Sequence, residues 1–573
     1  MGITKLLRNI HPNFNSKRNE GTRQSPCGEP VPASHSNFLS PFRSSIVTEH
    51  LDNFLDTKSI HINIADYTKQ NLIASNCPVH RIHIGQLGAN NPIEDRWNCC
   101  FIKDGEFISK AVFTIIDGHS GSACSHALAW ICLEYIAASL INTENAIDVM
   151  QRLSSSESVA DNANWITEQP TLFNNKGKNV TKRFLKNRLP PLEVRQFLIE
   201  RLIKYMDDIK LSPVPDEEFW EGALSRLDND LCSIGLNDVS ILTEITDEPI
   251  TINPDFLRIA QSGAVAVFGL LDWTVNNVDG SVELQIANVG DCSAVLFSAS
   301  DAPLTVASPK KPEVRKVKRH RHSFHRSGKR RDLNGQPSDK CELKPRRLVD
   351  PHNGSTNDDE LRRLMIEHPD DKAEDLIRNG GRLLGELAPT RAFGDVRYKW
   401  PADRIHKLNE HLNQEDAYNS DLLSAFEALP SPYISPPYLI VKPDVSKFAL
   451  KPNDRYLVLA TDGLWDTLTP ELAASILSRL QPGQCPATRL MRAALSVPIG
   501  PDGSLNRKAK EDPRLASALL SLPPGVARLY RDDITLIVIE LNAPASNNTN
   551  HPLPPMPSTS QNSAVLHSQP SSS

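Results

Sequence analysis

The sequence has no CxxC pair, no excess of basic charge, and no apolar run approaching the roughly 18 residues that a membrane span needs. Each absence closes off a class of protein. Ten cysteines are scattered along 573 residues and only Cys99 and Cys100 are adjacent, which suggests neither a disulfide framework nor a zinc knuckle and fits a reducing compartment. Lys and Arg total 63 against 69 Asp and Glu, so any surface for a polyanion has to be local rather than global. With 39% hydrophobic residues and no long apolar run, a soluble protein is expected. A cysteine nucleophile for phosphate esters needs an arginine six residues on, and only Cys341 with Arg347 has that spacing. The five residues between them contain no glycine, one proline without an N–H and one glutamate, a poor cradle for an anion. N-terminal myristoylation is excluded by Leu6, which stands where the pattern needs Ser or Thr.

What the sequence does have is acids at the ends of apolar runs. Residues 111–116 are β-branched and aromatic and read as a buried strand, with Asp117-Gly118-His119-Ser120-Gly121 at its exit. Asp-Gly is also ordinary turn chemistry, so this pentapeptide says little alone. The pattern recurs, however. Residues 456–460 run into Thr461-Asp462-Gly463-Leu464-Trp465-Asp466, residues 282–289 run into Gly290-Asp291, Arg531-Asp532-Asp533 opens a run over 534–540, and Glu94-Asp95 precedes them all. Ligand sets rich in oxygen and free of cysteine favour Mg²⁺ or Mn²⁺ over Zn²⁺.

The spread of these acids favours one large domain with insertions over several small ones. The expected organisation is a basic N-terminal arm or presequence over 1–65, partly disordered, a catalytic domain over 66–542, and a polar tail over 543–573. The tail has no Asp, Glu, Lys or Arg. Insertions are expected at about 154–187 and 301–345, with a flap at 400–437. Helical spacing is read at 123–136, around Leu198 to Tyr205, and at 219–231, and a hairpin at 265–289. Between 310 and 331 there are eleven Lys or Arg and one acid, a solvated loop or a targeting or polyanion-binding patch.

Taken in order, Glu94-Asp95, Asp117-Gly118-His119-Ser120-Gly121, Ser262-Gly263-Ala264, Asn288-Val289-Gly290-Asp291, Arg391-Ala392-Phe393-Gly394-Asp395, Thr461 to Asp466 and Arg531-Asp532-Asp533-Ile534-Thr535 resemble the metal-dependent serine/threonine protein phosphatases of type 2C. The resemblance covers about residues 85–541. Longer segments at 86–96, 226–230, 360–369, 391–400 and 436–443 are similar to one branch of that family, the pyruvate dehydrogenase phosphatases.

The resemblance implies an α+β fold, a central β-sandwich of two antiparallel sheets flanked by helices. It implies hydrolysis of phosphoserine by water activated between two Mg²⁺ or Mn²⁺ ions. Residue by residue, Asp117 bridges the metals and the Gly118 carbonyl ligates one. Asp462 and Asp532 complete the first site, Glu94 belongs to the second, and Asp291 helps hold a weaker third ion. Asp95 orients the attacking water and His119 protonates the leaving serine oxygen. The branch further implies a mitochondrial matrix enzyme acting on the phosphorylated pyruvate dehydrogenase component. It would dock on a lipoyl domain of the acetyltransferase core, helped by Ca²⁺, and pair with a regulatory subunit. Other readings keep the chemistry with another phosphoprotein, or keep the fold as a catalytically weak scaffold. The broad family carries an arginine four residues before the glutamate to grip phosphate; this chain has Asn90, as its branch does, with Arg96 a candidate substitute.

Overall fold

The computed structural model describes residues 50–541, apart from 74–75, 142, 156–164, 213–214, 216–217, 243–251, 275–281, 301–341, 415–428, 498–510 and 524. The first 49 residues, the basic run at 310–331, the turn of the hairpin and the tail at 543–573 lie outside the described residues.

Fifteen strands are named in chain order: β1 Ser59–Asn63, β2 Val79–Leu87, β3 Arg96–Asp104, β4 Phe107–His119, β5 Phe173–Asn174, β6 Gly263–Asp272, β7 Glu283–Val289, β8 Ser293–Ala299, β9 Leu343–Arg347, β10 Ile377–Arg378, β11 Arg382–Leu383, β12 Phe393–Gly394, β13 Asp444–Ala449, β14 Asp454–Ala460 and β15 Ile534–Leu541. One sheet has the order β5-β1-β2-β15-β14-β8-β9, and the other β13-β7-β6-β4-β3 with β12 added beside β6. Neighbouring strands in both are antiparallel.

Alternation along the strands makes three hydrophobic layers, because successive side chains leave opposite faces. In β4, Ala111, Phe113 and Ile115 point into the layer between the sheets, while Val112 and Ile116 face the helices Ala123–Ala138, Leu192–Leu211 and Phe219–Cys232. In β15, Ile537, Ile539 and Leu541 enter the central layer. Ile534, Leu536 and Val538 face the helices Pro470–Leu477, Pro486–Ser496 and Pro513–Leu520. Each fully buried side chain of this kind contributes about 1.5–3 kcal/mol of transfer free energy. The result is the expected α+β sandwich of two antiparallel sheets flanked by helices.

The structure departs from the sequence reading in several places. Residues 50–65, read as part of the N-terminal arm, carry the helix Leu51–Asp56 and strand β1, which pairs with β2. Buried Leu51 and Leu55 anchor that helix, but six residues are too few for periodicity to be legible. The segment 154–187, read as a loop, includes β5 and the helix Thr181–Lys186, both held by tertiary contacts that local composition does not show. The flap at 400–437 begins with the helix Ala402–Gln414.

Candidate active site

Five separated segments deliver their acids to one end of the sandwich. Strand β4 does not stop before its acid, as the sequence suggested; Asp117, Gly118 and His119 are its last three residues and pair with Val265, Ala264 and Gly263 of β6. The turn comes one residue later, with Ser120 at φ 58° and Gly121 at φ 113°. Sheet pairing therefore fixes the backbone at Asp117. Gly118 has to be glycine, since a Cβ there would lie 2.6 Å from the Glu94 carbonyl oxygen and 2.7 Å from Ser125 Oγ.

Asp462 is the first residue of the short helix Asp462–Trp465, directly beyond β14. Asp532 and Asp533 precede β15, and Asp291 follows the glycine turn at the end of β7. Glu94 and Asp95 lie between β2 and β3. Asp533 ties that loop down: its carboxylate accepts from the backbone N–H of Ala89 (2.5 Å), Asn90 (2.9 Å) and Glu94 (2.8 Å).

These acids face one another. Burial pushes the Asp117 carboxyl well above the usual carboxylate range, and the charges of Asp95, Asp462, Asp291 and Asp532 push it further. Burial and then Asp462 carry Asp291 up to about 7. Asp462 is raised by burial and by Asp532, although Asp117 shares a hydrogen bond with it. Asp95, buried, is raised by burial and by Asp533, and accepts a 3.0 Å hydrogen bond from Thr461 Oγ1. Glu94 is raised by burial, while the Gly121 N–H, 2.7 Å from Oε1, works the other way. A cluster of oxygen donors whose members raise one another's proton affinity fits hard divalent cations, which would replace the protons. Among the described residues no three His, Cys or acidic side chains stand as a finished cation cage, so the fit rests on donor chemistry and charge.

His119 Nε2 lies 2.6 Å from Asp395 Oδ2. Burial disfavours charge on the imidazole, but the Asp395 carboxylate outweighs it and raises its pKa. Asp395 is itself buried, at φ 51°, where the segment from Arg391 turns off β6.

Asn90 does not present a cation. Its Nδ2 donates to Glu94 Oε2 at 2.8 Å and to Asp533 at 3.2 Å, so it orients the glutamate. Arg96 Nη1 donates to the carbonyls of Ile93 (2.6 Å) and Asp95 (2.7 Å), which makes it a brace for the loop. Arg528 is paired with Asp532 and within electrostatic range of Asp117 and Asp533, and Arg531 and Arg96 also lie within range of acids of the cluster. Sequence reasoning gave no role to Asp395, Asp533 or Arg528. Asp395 and Asp533 stand inside quoted motifs, whereas Arg528 is an exposed arginine in the single 3-10 turn Ala527–Leu529 and carries no local signal.

The Protein phosphatase 2C family profile matches residues 342–495. Mitochondrial pyruvate dehydrogenase (acetyl-transferring) phosphatase 1 of Rattus norvegicus is 29% identical, over 80% of this chain and 77% of its own length. Human mitochondrial pyruvate dehydrogenase (acetyl-transferring) phosphatase 2 is also 29% identical, over 81% of this chain and 78% of its own. A crystal structure of serine-threonine phosphatase 2C from Toxoplasma gondii aligns with 84% of this chain and 99% of its own at 14% identity and a TM-score of 0.36, which adds no weight.

Proposed function

This chain belongs to the protein phosphatase 2C family and is a protein serine/threonine phosphatase, and from that premise we propose that it dephosphorylates the pyruvate dehydrogenase component in the mitochondrial matrix. The observation that carries the chemistry is the convergence of Glu94, Asp117, Asp291, Asp462 and Asp532 beside the His119–Asp395 pair. The substrate rests on relatives whose names specify it and whose similarity spans most of both chains.

In this reading Asp117, Asp462 and Asp532 would hold one Mg²⁺ or Mn²⁺ and Asp117 and Glu94 a second, with the Gly118 carbonyl ligating one of the two, and Asp291 would help hold a weaker third. When bound, such ions lower the pKa of water and neutralise charge on a transferring phosphoryl group. The protein's own groups do the rest. Asp95, held by Thr461, accepts a hydrogen bond from the attacking water and sets its line of approach. Asp395 keeps His119 protonated through Nε2, which leaves Nδ1 to give its proton to the departing serine oxygen. Asn90 and the Gly121 N–H hold Glu94 in place. Arg528 supplies the cation that grips the phosphate, exchanging Asp532 for the substrate.

Docking on a lipoyl domain of the acetyltransferase core, assisted by Ca²⁺, and pairing with a regulatory subunit complete the proposal. The test is phosphate release from phosphorylated pyruvate dehydrogenase complex, with Mg²⁺, with a chelator, and with free lipoyl domain as competitor. Metal-dependent release that free lipoyl domain suppresses is the expected result. Equal cleavage of a generic phosphoserine peptide, with no effect of lipoyl domain, would remove the substrate assignment and leave the chemistry.

A further inference from the structure

Strands β2 and β15 carry the acid site near one end and a second set of reactive side chains near the other. His83 lies opposite Val538, and Glu540 opposite Arg81, so His83 and Glu540 are diagonal neighbours on one face of the sheet. His83 Nε2 is 3.0 Å from Glu540 Oε1. On its other side, His83 Nδ1 is 3.6 Å from the sulfur of Cys485, a free thiol at the N-cap of the helix Pro486–Ser496. Thiol, imidazole and carboxylate thus stand in line, each within hydrogen-bond reach of the next. This is the nucleophile, base and orienting acid of a thiol enzyme's machinery.

A buried staple between sheet and helix would need no access, but this one has it. Cys485 and His83 line a surface cavity of about 630 Å³ whose wall also includes Arg81, Arg489, Asp52 and Asp56. With Glu540, which is paired to His83, two guanidinium cations and three carboxylates surround the thiol, which suits a ligand with both carboxylates and an amine. His61 also flanks the imidazole, its ring centroid 6.3 Å from that of His83, and Tyr456 lines the same cavity with Glu540 within its electrostatic range. We propose that Cys485 is a thiol–disulfide exchange site for small zwitterionic peptide disulfides, with His83 as its proton partner and Glu540 holding the imidazole.

The electrostatics agree with the geometry. Burial alone would push the Cys485 thiol up, but the hydrogen bond and charge of His83 bring it below its ordinary value. Burial likewise opposes charge on His83, and Cys485 and Glu540 overcome it. In the exchange the Cys485 thiolate attacks one sulfur of the disulfide. That S–S bond breaks as the new one forms, and the departing thiolate takes the proton from His83 Nδ1. The disulfide is the oxidant, so no further co-reactant is needed. Cys77 is the internal contrast: also partly exposed, it donates from its sulfur to the Val79 carbonyl at 3.9 Å, and burial pushes its thiol up to about 12.

The site is independent of the phosphatase reading and is tested without it. The full-length protein is treated with oxidised glutathione across about pH 6 to 8, and each cysteine is followed by peptide mass mapping. Cys485 is expected to form the mixed disulfide at least about tenfold faster than Cys77 at the low end, with a rate that climbs less steeply over that range than an ordinary thiol's, because His83 favours its thiolate. His83→Gln should restore the upward slope of an ordinary thiol, and Cys485→Ser, a good N-cap, should remove the adduct while the protein stays folded. A Cys485 rate no faster than that of Cys77, or a wild-type rate that climbs with pH as for an ordinary thiol, overturns the proposal. Should His83→Gln fail to fold, the wild-type pH profile decides alone.

Discussion

Asp117 and Glu360 are acids set into the same domain, yet their surroundings have opposite charge balance. Around Asp117 the neighbours are more carboxylates, and its proton affinity rises. Around Glu360 the neighbours are Arg391 at 2.5 Å and Arg363 at 3.1 Å, with Thr390 donating at 2.6 Å. Burial would raise Glu360, but these partners bring it down to about 2. Arg391 continues to Asp444, whose other oxygen meets His352, and His352 Nδ1 accepts from Gly290 N–H at 3.1 Å. A balanced network of this kind fixes geometry: it holds the segment that leads to Asp395 and the turn that carries Asp291. The unbalanced cluster lacks enough positive charge of its own, and that deficit is what suits it to the cations proposed for it.

The contrast can be broken by removing one acid from each side. Asp462→Asn should lower phosphatase turnover by about 100- to 1,000-fold, the scale of losing one transition-state contact, while thermal unfolding without metal stays level or moves upward because a repelling charge has gone. Retained turnover would refute Asp462 as a ligand. Glu360→Gln should do the reverse. Unfolding by denaturant should show a loss of about 3 kcal/mol, since Arg391 and Arg363 are left in excess, and activity should fall only as far as the fold does.

A third experiment sharpens the comparison through mass action. Saturating Mg²⁺ should stabilise the wild-type chain by about 2.7 kcal/mol at one hundred times its dissociation constant, and a chelator should reverse this; Asp462→Asn should lose most of the gain while Glu360→Gln keeps it. Equal stabilisation of both variants would remove the acid cluster as the binding site. The smallest effect is in pH. Glu360 is depressed in the folded state, so its contribution is present above the ordinary glutamate value of 4.5 and is lost as pH falls from there towards about 2. Over that window the melting temperature of the wild type should fall slightly more steeply than that of Glu360→Gln.

Much of the site was legible because its acids sit at strand ends, where alternating apolar runs stop and the chain must turn. The runs before Asp117, Asp291 and Asp462 and the run after Asp532 are largely apolar, and the structure makes strands of all four. The helices at Ala123–Ala138 and Phe219–Cys232 were legible for the same reason, since their apolar spacing repeats over several turns.

What the sequence by itself determined was therefore the periodic elements, the two-sheet fold class that its motifs imply, and the identity of the acids at the ends of those elements. Tertiary structure alone decided that β4 runs through Asp117 to His119, because pairing with β6 extends it past the apolar residues. It also decided that residues 59–63 join the sheet, that Asn90 orients Glu94, and that Asp395 backs His119. The arrival of Arg528 at the acids and the meeting of Cys485 with His83, 402 positions away, are decisions of the same kind. Periodicity records which face of an element is buried, but which side chains meet at its ends depends on how distant segments pack, and no local pattern encodes that.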